Sequence, residues 1–189
     1  MTDYFALLEQ PRRPWLDPEA LKEIFHRQSL QAHPDARGPN ERSFTELNQA
    51  YQVLRDPKRR LQHLFEIENA PRAAPAIPAE LEKLFPEVAR VTQQADAVLE
   101  KARHASNALA RSLLKTELLR TTRTLEEMRQ TLSALYEQAS SAVREINHRW
   151  EVDQAREFPA LHDLYLRFSY LSRWLAELDE KLLQLGNTP

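Results

Sequence analysis

The sequence predicts an all-α protein: four shorter helices, then a bundle of about three long antiparallel helices. Three observations carry this. Only 2 Gly stand against 12 Pro, in a chain rich in Leu, Ala, Glu, Arg and Gln. β-branched residues are sparse, and no run alternates apolar and polar residues as a half-buried strand would. From Leu81 onward, apolar residues recur in alternating steps of three and four, the period of packed helices.

Taken in order, Asp3-Tyr4-Phe5-Ala6-Leu7-Leu8 predicts a short apolar helix, stopped by Pro11 and Pro14. Asp17-Pro18-Glu19 starts the next one, with Asp as N-cap, Pro at the first helical position and an acid in the first turn. Leu21, Ile24, Phe25 and Ala32 share one face of it, with Gln28 as a polar intrusion. Lys22, His26, Ser29 and His33 line another face, and Glu23 and Arg27 have the spacing of an i,i+4 ion pair. Pro34 ends this helix. Phe44, Leu47, Tyr51 and Leu54 mark a third, and Asp56-Pro57 opens a fourth carrying Leu61, Leu64 and Phe65. The second and third helices predict an antiparallel hairpin with His33-Pro34-Asp35 at its tip. Residues 70–78, Ala-Pro-Arg-Ala-Ala-Pro-Ala-Ile-Pro, cannot hold a helix and read as a linker. The expected organisation is therefore a first domain over 1–70, a linker over 71–78 and a helical bundle over 79–189.

Three apolar seams run through the bundle. The first is Leu81, Leu84, Val88, Val91, Ala95, Val98, Ala102, Ala105 and Leu109. The second is Leu114, Leu118, Thr121, Leu125, Met128, Leu132, Leu135, Ala139, Ala142 and Ile146. The third is Leu161, Leu164, Phe168, Leu171, Leu175, Leu178, Leu182 and Leu185. The phase slips by two residues between Leu109 and Leu114, which places a break between about residues 105 and 124. Ser106-Asn107 and the pair Thr124 with Glu127 are rival caps for the helix that follows. Pro86 and Pro159 are expected in the first turns of the first and last long helices. Thr121 is a polar defect in its seam, able to set register.

Composition excludes several functions. Without Cys there are no disulfides, thiol nucleophiles or Cys-ligated metals. The net charge of −2 gives no global field for nucleic acid or membrane. No apolar run is long enough to span a bilayer and no signal-peptide pattern opens the chain, so a cytoplasmic protein is expected. His104, His148 and His162 are scattered, with no metal-ligand spacing, and no metal or cofactor is expected. Lys58-Arg59-Arg60 is a short basic cluster with no aromatic platform, so no nucleic-acid partner is expected. No carboxylate/His constellation suggests an enzyme.

Residues 3–68 resemble a J domain. The resemblance rests on Asp3-Tyr4-Phe5, on Leu21, Phe25 and Ala32, on His33-Pro34-Asp35, and on Leu47-Asn48-Gln49-Ala50-Tyr51-Gln52-Val53-Leu54-Arg55-Asp56-Pro57. It implies a module that docks on a chaperone ATPase of the DnaK/HscA type and stimulates its hydrolysis of ATP. The tip suits that role: Pro34 fixes φ, and Asp35 can accept a bidentate bond from a partner arginine. His33, Pro34 and Asp35 are then the trigger, with Lys22, His26 and Arg27 as supporting contacts. Many J domains carry a strongly basic second helix. Here Glu19, Lys22, Glu23 and Arg27 sum to zero, which points to a specialised partner.

The chain is also similar to the HscB family of iron–sulfur co-chaperones. The residues are Asp3-Tyr4-Phe5 with Leu16-Asp17, Arg60-Leu61-Gln62-His63-Leu64-Phe65, and the tail from Leu166-Arg167-Phe168 to Leu178-Asp179-Glu180-Lys181-Leu182-Leu183. That resemblance implies a client, the scaffold protein on which iron–sulfur clusters are built, held by the bundle. Glu80, Leu81, Leu84, Phe85, Glu87, Phe168 and Tyr170 are the candidate contacts. The family's acidic, Met- and Leu-containing stretch at the start of the second domain is altered here to Leu81-Glu82-Lys83-Leu84-Phe85-Pro86-Glu87. Two alternatives stay open: a J-domain protein with another client, or a helical scaffold with a degenerate J domain whose heptads pair between chains. Trp150 and Trp174 are expected in the core or at its edge.

Overall fold

The computed structural model describes residues 2–31, 44–71, 77–105 and 107–188, and the regular structure among them is entirely α-helical. In order these are α1 (Tyr4–Leu7), α2 (Pro18–Gln31), α3 (Phe44–Leu54), α4 (Pro57–Ile67), α5 (Ala79–His104), α6 (Ala108–Arg149) and α7 (Gln154–Gly186). The chain divides into two compact units: residues 1–74 with 140–165, and residues 75–139 with 166–189. Both α6 and α7 contribute residues to each.

In the first unit α2 and α4 start on the caps expected of them, and α1 starts on Asp3, whose capping role was not foreseen. Asp3 accepts from the N–H groups of Phe5 and Ala6, and Asp17 from those of Glu19 and Ala20. Asp56 accepts from Arg59 N–H, with Pro57 in the first turn. Each bond satisfies an N–H that the helix itself leaves unpaired. α3 is the central element, packed by α1, α2 and α4. Phe25 of α2 stacks on Tyr51 of α3 with centroids 4.4 Å apart. Phe25 lies seven residues before the 32–43 segment and Tyr51 eight after it, the register of an antiparallel hairpin. The apolar core of Phe5, Leu8, Leu21, Leu47, Leu54, Leu61 and Leu64 is joined by Val143, Ile146, Trp150, Phe158, Leu161 and Leu164.

The second unit is a three-helix bundle. Lys101, near the end of α5, pairs with Glu117, near the start of α6, at 2.6 Å, so those helices run antiparallel. Glu80 pairs with Arg167 and Asp96 with Lys181, so α5 and α7 run in the same direction. Arg129 pairs with Asp179, and Tyr136 packs edge-on against Phe168, which sets α6 against α7. The seams fill the bundle core, with Leu81, Ala95, Leu125, Leu132 and Leu178 fully buried.

Three details correct the expectations from sequence. α5 ends at His104 and α6 begins at Ala108, with Asn107 accepting Ala110 N–H at 2.8 Å, so Leu109 belongs to α6 and is exposed rather than continuing the first seam. Thr124, the rival cap, sits inside α6 and donates back to the Arg120 carbonyl. Pro86 and Pro159 lie inside α5 and α7, not in their first turns. Each helix extends further toward its N-terminus because apolar residues there are worth burying: Leu81 before Pro86, and Phe158 before Pro159. Both prolines face solvent.

Thr121 is 1% exposed and its hydroxyl has no partner among the described residues. An unpaired buried hydroxyl costs about 1–3 kcal/mol, and an apolar side chain of the same shape avoids that cost. Thr121→Val is therefore expected to raise stability by about 1 kcal/mol. A lower urea midpoint in the variant would refute this.

Candidate functional site

The expected docking helix is α2. Lys22, His26 and Arg27 are all exposed on it. Lys22 lies 3.9 Å from Glu19 on its own helix. Arg27 does not pair with Glu23, the partner its i,i+4 spacing predicted. It reaches Glu9, in the loop after α1, at 3.5 Å. Glu9 adopts φ 52, the left-handed region that side-chain-bearing residues seldom enter. His26 meets the ring of Phe25 at 5.9 Å. His33, Pro34 and Asp35 lie outside the described residues. Gln28, the polar intrusion in the apolar stripe, is buried, and its amide has no partner among the described residues.

α4 carries two buried polar groups that no apolar pattern marks. Arg60 of α4 donates Nε–H to the Pro14 carbonyl at 2.8 Å and Nη1–H to the Leu54 carbonyl at 2.7 Å. The basic cluster Lys58-Arg59-Arg60 thus loses its third member to the interior. His63 accepts the Tyr4 N–H at its Nε2, 3.0 Å away, and stacks on the Tyr4 and Phe5 rings. That acceptor role requires a neutral imidazole with its proton on Nδ1.

Burial pushes His63 below the usual imidazole range, and Arg12 works in the same direction; Asp3 and Glu66 oppose them without prevailing. Arg59 lines the same crevice. The unfolded chain therefore takes up this proton more readily than the folded one. The His63 contribution is fully present above about pH 6.5, the ordinary His value, and is lost as pH falls from there toward the lowered folded value. His63→Gln is expected to flatten stability across that window, read as urea midpoint against pH. An unchanged slope would reject the assignment. Asp3 acts in a separate, more acidic window. Burial raises its carboxyl, but the Ala6 N–H and the Arg12 guanidinium outweigh that and hold it below its ordinary value.

A second set of candidate residues lies on the bundle. Phe85 of α5 meets Tyr170 and Trp174 of α7 edge-on, at 5.3 and 4.8 Å. Trp174 is buried, while Phe85, Leu84 and Tyr170 are partly exposed and Glu80 and Glu87 exposed. Leu81 and Phe168 are 0% exposed and hold the bundle together, so they are withdrawn as client contacts. Spacing already separates Phe168 from Tyr170: Phe168 lies on the third seam, and Tyr170, two positions on, lies about 200° around the helix.

A family model of the DnaJ domain matches residues 3–63. Chaperone protein DnaJ from Caldicellulosiruptor saccharolyticus is 39% identical over 64 residues, which cover 32% of this chain and 16% of that protein. The match to the DnaJ protein of Caldicellulosiruptor bescii likewise covers only 15% of its length. A co-chaperone protein HscB homolog from Azoarcus sp. (strain BH72) behaves differently: it is 26% identical over 98% of this chain and 96% of its own length. The chain carries a J domain over residues 3–63 and is similar along nearly its whole length to an HscB-type co-chaperone. The fold agrees. Chaperone HscB from Vibrio cholerae superposes with a TM-score of 0.52 at 17% identity, over 97% of this chain and 99% of that one. Among the described residues, no helix is long and apolar enough to cross a membrane.

The sequence pattern gave no sign of the groups that join residues 140–165 to the J domain. Trp150 donates its indole N–H to the Arg12 carbonyl, Asn147 accepts the Trp15 N–H, and Arg144 lies 5.0 Å above the Trp15 ring. His162 stacks on Phe65 and bonds the Pro71 carbonyl. Only the placing of Trp150 in the core was legible from sequence.

Proposed function

We propose that this HscB-type co-chaperone stimulates ATP hydrolysis by a DnaK/HscA-type chaperone and delivers a client to it, the iron–sulfur cluster scaffold protein. The trigger is His33, Pro34 and Asp35, supported by Lys22, His26 and Arg27. The observation that carries this reading is the solvent-exposed Lys22/His26/Arg27 face, on the helix that leads into His33-Pro34-Asp35, in a chain matching an HscB homolog almost end to end. The J domain over 1–70 supplies the chaperone contact, and the helices after the 71–78 linker supply the client contact. The client face is Leu84, Phe85 and Tyr170, flanked by Glu80 and Glu87. The chain has no catalytic role of its own in this scheme, and acts in the cytoplasm.

The reading in which heptads pair between chains gains no support, because the seam residues already fill a core within one chain. A J protein with a different client remains the competing reading.

Asp35→Asn removes the charge that a partner arginine would grip while leaving side-chain volume nearly unchanged. It is expected to abolish stimulation of chaperone ATPase at every concentration of the co-chaperone. Stimulation that survives intact would end the trigger assignment. The client half is tested by retention of the scaffold protein on immobilised full-length chain. Phe85→Ser is expected to lose it; equal retention would favour the different client. Deleting residues 79–189 would be a poor test, since 140–165 pack with the J domain.

A further inference from the structure

We propose that Glu23 is a specificity residue: the α2 face of this chain fits a chaperone surface that carries a lysine or arginine among its acids, not an uninterrupted acidic patch. This rests on the chaperone-docking reading above and names the chemistry of the partner surface.

The decisive point is which charges are already taken. Lys22 has Glu19 beside it, and Arg27 is drawn to Glu9. Glu23 lies between them on the same exposed helix, and has no ion pair among the described residues. The face therefore sets Glu9, Glu19 and Glu23 against Lys22 and Arg27, a surplus of one negative charge before His26 takes a proton. An incoming acid must displace Glu9 or Glu19 from its cation and also approach Glu23. An incoming cation at Glu23 displaces nothing. Charges at the edge of an interface act mainly on encounter rate and on the choice between partners, and like charges brought together are penalised. A face of alternating sign thus discriminates against a uniformly acidic partner and favours one of complementary alternation.

The full-length chain provides the test, titrated into the ATPase assay of the DnaK-class and HscA-class chaperones of the same organism. Wild type, Glu23→Gln, Glu23→Lys and Asp35→Asn are compared. Wild type is expected to prefer one chaperone. With that chaperone, Glu23→Lys raises the half-stimulating concentration about fivefold, the scale expected when one exposed ion pair is replaced by a like-charge repulsion. With the other chaperone it lowers it. Glu23→Gln falls between, and stimulation at saturation is unchanged because the trigger is intact. The inference is overturned if wild type stimulates both chaperones equally, or if Glu23→Lys leaves the preferred titration unmoved or improved. If wild type stimulates neither, or Asp35→Asn matches wild type, the docking reading itself falls and takes the Glu23 inference with it.

Discussion

Trp150→Ala is expected to destabilise the chain by about 3–5 kcal/mol, the range for emptying a buried aromatic site. The site justifies the upper part of that range. Trp150 is 1% exposed and packs edge-on against Phe158 at 5.4 Å. Its indole N–H donates to the Arg12 carbonyl at 2.8 Å. Truncation leaves a large void and an unpaired carbonyl at once. A domain typically has only about 5–15 kcal/mol of stability, so the loss is a large share of the total. The urea midpoint should fall by about 2 M at an ordinary m-value. Trp150→Phe separates the two causes, since it keeps most of the ring and loses only the hydrogen bond. It should cost about 1–2 kcal/mol. If Trp150→Ala shifted the midpoint no further than Trp150→Phe, the packing argument would be wrong.

Arg60→Met should cost a similar amount, about 3–5 kcal/mol, for a different reason. Arg60 is 5% exposed, and one guanidinium serves two carbonyls from separate segments. One of them, Leu54, is the last residue of α3, where helical carbonyls lack partners of their own. Charge-assisted bonds of this kind contribute about 1.5–3 kcal/mol each, and the carbonyls left behind would be buried and unpaired. Methionine fills the space of the stem, so the loss reports the fork and not a cavity. Arg60→Lys should recover only part of it, because a single ammonium cannot copy the geometry of the guanidinium fork. Full recovery by lysine, in chemical denaturation, would show that charge alone matters there.

Much of the fold was legible because it is written in local chemistry. Asp17-Pro18 and Asp56-Pro57 announce their helices through bonds that close within one turn. The seams from Leu81 to Leu185 reveal three helices because burial on one face of a helix repeats with its turn. Where two local rules competed, the sequence misled. Proline belongs in a first turn by propensity, yet α5 begins before Pro86 because Leu81 gains more from burial than the helix loses. The slip between Leu109 and Leu114 showed that a break exists, but only the Asn107 cap located it.

By itself, then, the sequence determined the helical class, the nature of the J domain and its likeness to the HscB family. Each rests on residues close together in the chain or on an unbroken order of short motifs. Tertiary structure alone decided which residues beyond position 74 pack with the J domain, that Arg60 and His63 are interior, and that Arg27 turns from Glu23 to Glu9. These depend on pairs as distant as Trp15 and Asn147. No periodicity records such a pair, because an apolar stripe states that a face is buried and not what buries it.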